Sequence, residues 1–202
     1  IMALEGIHSS VEDITITTGS QHGLELVSDL FLDQGDVVLV EAPSYVGAVG
    51  IFRHKEAHIA HVYTDEHGIS PQALAETDDR LIAEGERIKL LYLVTNFANP
   101  GGVTLTADRR LEVLEICKQR GILIIEDNPY GQLYFGEKPP NAMRSLDEQN
   151  VDYLGSFSKI LSPGLRVGYV LAPPAISEHL VLANESPLLS PARSSLMLFT
   201  EK

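Results

Sequence analysis

Four short polar clusters in this 202-residue chain each sit beside an apolar run. Gly155-Ser156-Phe157-Ser158-Lys159 belongs to the run that starts at Val151, and Arg166 follows soon after. Asp127-Asn128-Pro129-Tyr130 follows Ile122–Glu126, and Asn99-Pro100-Gly101-Gly102 comes after Ile88–Val94. Thr18-Gly19-Ser20-Gln21 opens an amphipathic segment. A lysine amine is nucleophilic only when deprotonated, and a cationic, partly desolvated site favours that form. Each cluster alone also has an ordinary explanation. Most lysines are simply solvated. Asp-Asn-Pro is good turn chemistry, and so is Asn before proline. Ser20 can be a plain helix cap. Tyr45 and Tyr130 can be half-buried packing. Arg166 can be a surface ion pair, although its place inside the apolar stretch Leu165-Arg166-Val167-Gly168 makes that less natural.

The elements that must position these residues alternate along the chain. Strands are expected over 36–41, 88–94, 122–126, 151–157 and 165–171, with a weaker one over 57–62. The β-branched wording of Ile122-Leu123-Ile124-Ile125 suggests a strand covered on both faces. Helices fill the gaps. Leu24, Val27, Leu30 and Phe31 recur at helical spacing after Ser20. Ser70-Pro71 is a cap followed by proline in the first turn. Thr106 opens a helix whose Leu111, Leu114 and Cys117 share a face, and Gly121 closes it. Gly23 in an early helical turn is expected to weaken its helix slightly. The alternation predicts an α/β fold: a mostly parallel sheet flanked by helices. In such sheets ligands bind at the carboxyl ends of the strands, where the polar clusters fall.

Composition bounds the function. The apolar share is 44%, as in globular proteins. The formal net charge of −13 argues against nucleic acid as the main partner, which usually meets a basic face. The single cysteine, Cys117, allows no intrachain disulfide, which suits a reducing cytoplasm. It reads as a small buried hydrophobe rather than a catalytic thiol. No apolar run is long enough to span a membrane. His54, His58, His61 and His67 lack the spacing of a metal site, so no metal is expected. Gly101-Gly102 is followed by no Gly-Lys-Ser/Thr and so is no phosphate loop of the nucleotide-binding kind.

Taken in order, the clusters resemble class I/II aminotransferases with the aspartate-aminotransferase fold. The ordered set is Thr-Gly-Ser-Gln, Glu-Ala-Pro-Ser-Tyr, Asn-Pro-Gly-Gly, Asp-Asn-Pro-Tyr-Gly, Ser-Phe-Ser-Lys and Leu-Arg-Val-Gly-Tyr. Any one is weak, whereas six in order among matching elements are specific. The resemblance covers about residues 14–174, and the wording from Gly155 to Arg166 is similar to the 2-aminoadipate aminotransferase branch and to aminotransferase-like regulators.

The resemblance implies pyridoxal 5'-phosphate as cofactor and an amino acid and a 2-oxo acid as substrates. Lys159 matches the lysine that carries the cofactor and moves the substrate proton. Asp127 matches the carboxylate that pairs with the ring nitrogen. Gly19, Ser20 and Gln21 match the helix start that receives the phosphate, completed by Ser156, Ser158 and Arg166. Tyr45 matches the aromatic stacked on the ring, and Asn99 and Tyr130 match the pair that bonds its phenolic oxygen. His22 stands where the family has glutamine or a similar residue.

The resemblance also implies a homodimer with shared sites. It makes residues 14–174 a partial cofactor-binding large domain, with 1–13 the end of an upstream helical segment and 175–202 the start of an interdomain helix with a divergent tail. Small-domain segments that the family carries on both sides are not in this sequence, so a truncated or incompletely read gene is expected, and little turnover by the chain alone. The other reading is the effector-sensing domain of a transcriptional regulator, whose mark would be an upstream basic helix-turn-helix.

Overall fold

The computed structural model describes residues 1–184. Its elements run β1 (Ile14–Thr17), α1 (Ser20–Phe31), β2 (Val37–Ala42), α2 (Val46–His54), β3 (His58–Asp65) and β4 (Gly68–Ile69). They continue with α3 (Pro71–Ala83), β5 (Ile88–Val94), α4 (Ala107–Arg120) and β6 (Leu123–Asp127). The last are β7 (Val151–Ser156), β8 (Gly168–Leu171) and α5 (Pro174–Asn184). The eight strands form one sheet in the order β1-β8-β7-β6-β5-β2-β3-β4.

The central pairs β3-β2, β2-β5, β5-β6 and β6-β7 are parallel, as the alternation predicts. β8 runs antiparallel between β7 and β1, and β4 closes the other edge antiparallel to β3. The strand β1 and the two-residue β4 are too short for periodicity to reveal. From β2 the chain builds outward to β3 on one side and through β5, β6 and β7 on the other. That reversal opens a crevice at the carboxyl ends of β2 and β5, the usual ligand position in such sheets.

Two apolar layers hold helices to the sheet. Val38 and Val40 of β2 face one layer with Leu24, Val27, Ala48 and Phe52 of α1 and α2. Val37 and Leu39 face the other with Leu74, Leu81, Val113, Leu114 and Cys117 of α3 and α4. β2 is therefore buried on both faces, which is why it reads as a continuous apolar run. Leu30 and Leu111, expected on the apolar faces of their helices, are exposed; the buried face of α4 carries Arg110, Val113, Leu114 and Cys117 instead. Ser70 accepts the Ala73 N–H at 3.2 Å and caps α3. Gly121 ends α4 in the left-handed region with φ 68°. Burial pushes the Cys117 thiol up to about 12, which keeps it inert.

Gly23 has a role beyond the weak helix former expected. A Cβ there would meet Val170 Cγ2 at 2.7 Å. The missing side chain lets α1 close onto β8.

Met2–Glu5 and Val11–Asp13 form 3₁₀ turns, and Gly6, in the left-handed region at φ 80°, stops the first of them. Two expectations need correction. The strand expected over 165–171 begins at Gly168, because Pro163–Leu165 turn and Arg166 takes φ 51°. Asp127 is the last residue of β6 rather than the first beyond it. α5 begins where an interdomain helix was expected, and the tail expected beyond Asn184 lies outside the described residues.

Candidate active site

One cavity of about 180 Å³ opens at the carboxyl ends of the central strands. Ser20, Gln21, Tyr45, Asn99, Asp127, Tyr130, Ser156, Ser158, Lys159 and Arg166 all line it. Leu24, Val94, Pro129 and Pro163 supply its apolar wall. Of the residues singled out by sequence, Gly19 alone is not on the wall. It caps α1 at φ 90° and packs behind the guanidinium of Arg166.

Asp127 is placed at the cavity by the register of β6, beside Val94 of β5. It is buried, and its Oδ2 accepts a hydrogen bond from the Tyr92 hydroxyl at 2.7 Å. Its Oδ1 is buried without a partner. Burial pushes the Asp127 carboxyl up to about 6, against the lowering effect of the Tyr92 bond. The unsatisfied oxygen is the kind of defect that folded proteins keep at ligand sites. Sequence reasoning missed Tyr92, because a tyrosine inside an apolar strand gives no sign that its hydroxyl reaches a neighbouring strand.

The opposite wall is the start of α1. Its first amides have no intrahelical acceptor and no acidic residue stands in the first turn, so the helix end is free to attract an anion. Arg166 Nη2 donates to the Thr18 carbonyl at 3.0 Å, which holds the exposed guanidinium over that helix end. The backbone at Arg166 is left-handed, at φ 51°, rather than the extended conformation expected of a strand. Gly168 makes the approach possible: a Cβ on it would lie 2.4 Å from the Gly19 carbonyl carbon. Ser156 is buried, and its Oγ accepts the Ser158 N–H at 3.1 Å, tightening the turn that leads to Lys159. Lys159 is exposed on the cavity wall.

A polar lattice supports the turn after β6. Asn128 donates to Glu5 at 2.9 Å and accepts from Asn96 at 2.9 Å, and Arg110 donates to Asn96 at 2.7 Å. Gln132 and the Tyr153 hydroxyl also donate to Glu5, which is buried. The lattice ties the N-terminal turn to Asp127's neighbour. Nothing in the local sequence around Glu5 signals it. Tyr45 is half-buried as the N-cap of α2, and its carbonyl accepts the Ala48 and Val49 amides at 3.1 Å.

An open, mostly parallel sheet with a lysine, a buried carboxylate, an arginine and a helix start on one cavity defines an α/β domain suited to an anionic ligand. The comparisons name the family. Residues 3–198 match the model of aminotransferase class I and II, and the chain belongs to that family. It is 39% identical over 175 residues to aromatic-amino-acid aminotransferase 1 of Thermococcus litoralis, which covers 86% of this chain and 42% of that protein. It is 36% identical over 175 residues to an uncharacterized HTH-type transcriptional regulator, YisV, of Bacillus subtilis, across 86% of this chain and 35% of that protein. Among solved structures it is similar to LysN, the alpha-aminoadipate aminotransferase of Thermus thermophilus, complexed with N-(5'-phosphopyridoxyl)-L-leucine. The TM-score is 0.86 at 36% identity, covering 99% of this chain and 53% of that one. The chain spans less than half the length of these two curated relatives.

Proposed function

We propose that the protein is a pyridoxal-phosphate-dependent aminotransferase and that residues 14–174 are its cofactor-binding large domain. The observation that carries the reading is the partnerless, buried Oδ1 of Asp127 on the same cavity as Lys159. The residues fit the cofactor's chemistry. A carboxylate with a free oxygen suits a protonated ring nitrogen. A helix start with Arg166 beside it suits a phosphate dianion. When bound, the cofactor supplies the electron-accepting ring.

The chain's own residues do the rest. Lys159 Nζ would hold the cofactor, and its free amine would move the proton at the substrate's α-carbon. Asp127 keeps the ring nitrogen protonated. Ser20, Ser156, Ser158 and Arg166, with the amides of Gly19, Ser20 and Gln21, hold the phosphate. Tyr45 would pack on the ring, and Asn99 and Tyr130 would bond its phenolic oxygen. The substrates are an amino acid and a 2-oxo acid, and the assembly is a cytoplasmic homodimer. Among the described residues no helix is long and apolar enough to cross a membrane.

The test is a titration of the purified protein with pyridoxal phosphate, beside Lys159→Ala. A visible absorbance band that needs Lys159 is expected. No band from protein shown by circular dichroism to be folded would remove the reading. The similarity to the regulator favours one other outcome: a sensor would form the band but would release no 2-oxo acid when given amino acids.

A further inference from the structure

Three side chains hold the loop that leads into α1. Thr17 Oγ1 donates to the Gly19 carbonyl at 2.9 Å. Arg166 donates to the Thr18 carbonyl at 3.0 Å. The Thr18 amide in turn donates to Nδ1 of His22 at 3.1 Å. His22 is the third residue of α1 and is 8% exposed. A side chain in that helical position that turns back to accept an amide at the helix entrance resembles half of a capping box, in which glutamate or glutamine is the usual acceptor.

The chemistry of the acceptor matters here. With Nδ1 accepting, the ring is neutral and carries its proton on Nε2. That Nε2 is buried and has no partner, which costs stability. Among the described residues the bond from Thr18 is the ring's only hydrogen bond. A glutamate could accept the same amide, but it would put a negative charge into a first turn that contains none. At a helix start that receives a dianion, such a charge repels the ligand. Burial also holds the His22 imidazole below its usual range, with Glu25 acting the other way, so the neutral form is favoured.

We infer that His22 is a positioning residue for the phosphate site: its neutral Nδ1 fixes Thr18, and through the Thr18 carbonyl it fixes the Arg166 guanidinium. This rests on the cofactor reading above.

The test compares two ligands on the intact protein: pyridoxal phosphate, and pyridoxal, which lacks the phosphate. His22→Leu removes the acceptor and is expected to weaken pyridoxal phosphate roughly tenfold, about the effect of one lost hydrogen bond. Its affinity for pyridoxal stays near that of the unaltered protein. His22→Gln keeps a neutral acceptor and is expected to restore pyridoxal phosphate binding. His22→Glu keeps the acceptor, adds charge and weakens pyridoxal phosphate alone. Equal losses for both ligands in His22→Leu, or no loss for either, would overturn the inference. Should His22→Leu not fold, the Gln and Glu variants decide it, since they differ only in charge; equal phosphate-dependent affinity then overturns it. An unaltered protein that forms no Lys159-dependent band fails the cofactor reading instead.

Discussion

Glu126 and Asp127 are neighbours on β6, yet they point to opposite faces of the sheet and live in opposite circumstances. Glu126 is fully buried toward α4 and is surrounded by donors. It accepts from the Thr95 hydroxyl at 2.9 Å, from the Met143 amide at 3.0 Å and from the Arg144 amide at 2.9 Å. Arg110 lies 3.7 Å away. Burial still holds its carboxyl above the usual range, so even this many donors do not fully offset desolvation. Asp127 has one donor, Tyr92, and one oxygen with none. A fully satisfied buried carboxylate organises the structure around it. A half-satisfied one on a cavity leaves an oxygen that a ligand could pair, and until it is paired the unmade hydrogen bond costs stability.

Removing Glu126 should produce the largest effect. Glu126→Ala strips acceptors from Thr95, Met143 and Arg144 and leaves Arg110 without its carboxylate, which should cost about 3–5 kcal/mol. Chemical denaturation of the variant measures it. A loss under about 1 kcal/mol would break the contrast drawn between the two carboxylates.

Asp152 sharpens the comparison as a third case. It sits in β7, fully buried, and neither of its oxygens has a partner. Burial pushes its carboxyl up to about 7 although Arg144 pulls it down. It does not line the cavity, so no cofactor contact compensates it. The unfolded carboxyl releases its proton near 3.8 and the folded one near 7, so between those values the folded state holds more protons and stability falls as pH rises. Asp152→Val should therefore stabilise the protein by about 1–3 kcal/mol at pH 8 and lose most of that gain by pH 4. Melts across that range decide it, and a variant less stable at pH 8 would show a satisfied role for Asp152.

The smallest effect on stability belongs to Asp127. Asp127→Asn can still accept from Tyr92 and should change stability by less than about 1 kcal/mol at neutral pH. It should weaken pyridoxal phosphate binding all the same. Function lost with stability kept is the signature of a residue held for a ligand. A variant that unfolds as readily as Glu126→Ala would place Asp127 with the structural carboxylates.

Much of this was legible in the sequence. The parallel strands β2, β5, β6 and β7 appear as apolar runs because they are buried on both faces, as Val37 to Val40 are, whereas β3 alternates buried and exposed residues. The ends of α3 and α4 appear as Ser70-Pro71 and Gly121, because capping is a local transaction between a few adjacent groups. The edge strands β1 and β4 left no such trace, since two to four residues do not establish a period. The start of β8 is not legible, because the apolar stretch around Arg166 looks continuous in sequence, while Pro163–Leu165 turn and Arg166 contacts the distant Thr18 carbonyl.

The sequence by itself determined the order and type of the central elements and the residue types at their ends. These follow from interactions between residues close in the chain: periodicity, caps and turn chemistry. The tertiary structure decided which of those ends meet on one cavity and which polar groups are left unpaired there. Tyr92 reaching Asp127, Glu5 reaching Asn128, Arg166 reaching Thr18 and Gly168 admitting Gly19 are all contacts between segments distant in sequence. No local pattern encodes them, because the free energy that fixes each one comes from burying two separate elements against each other, and that happens only once the sheet has formed.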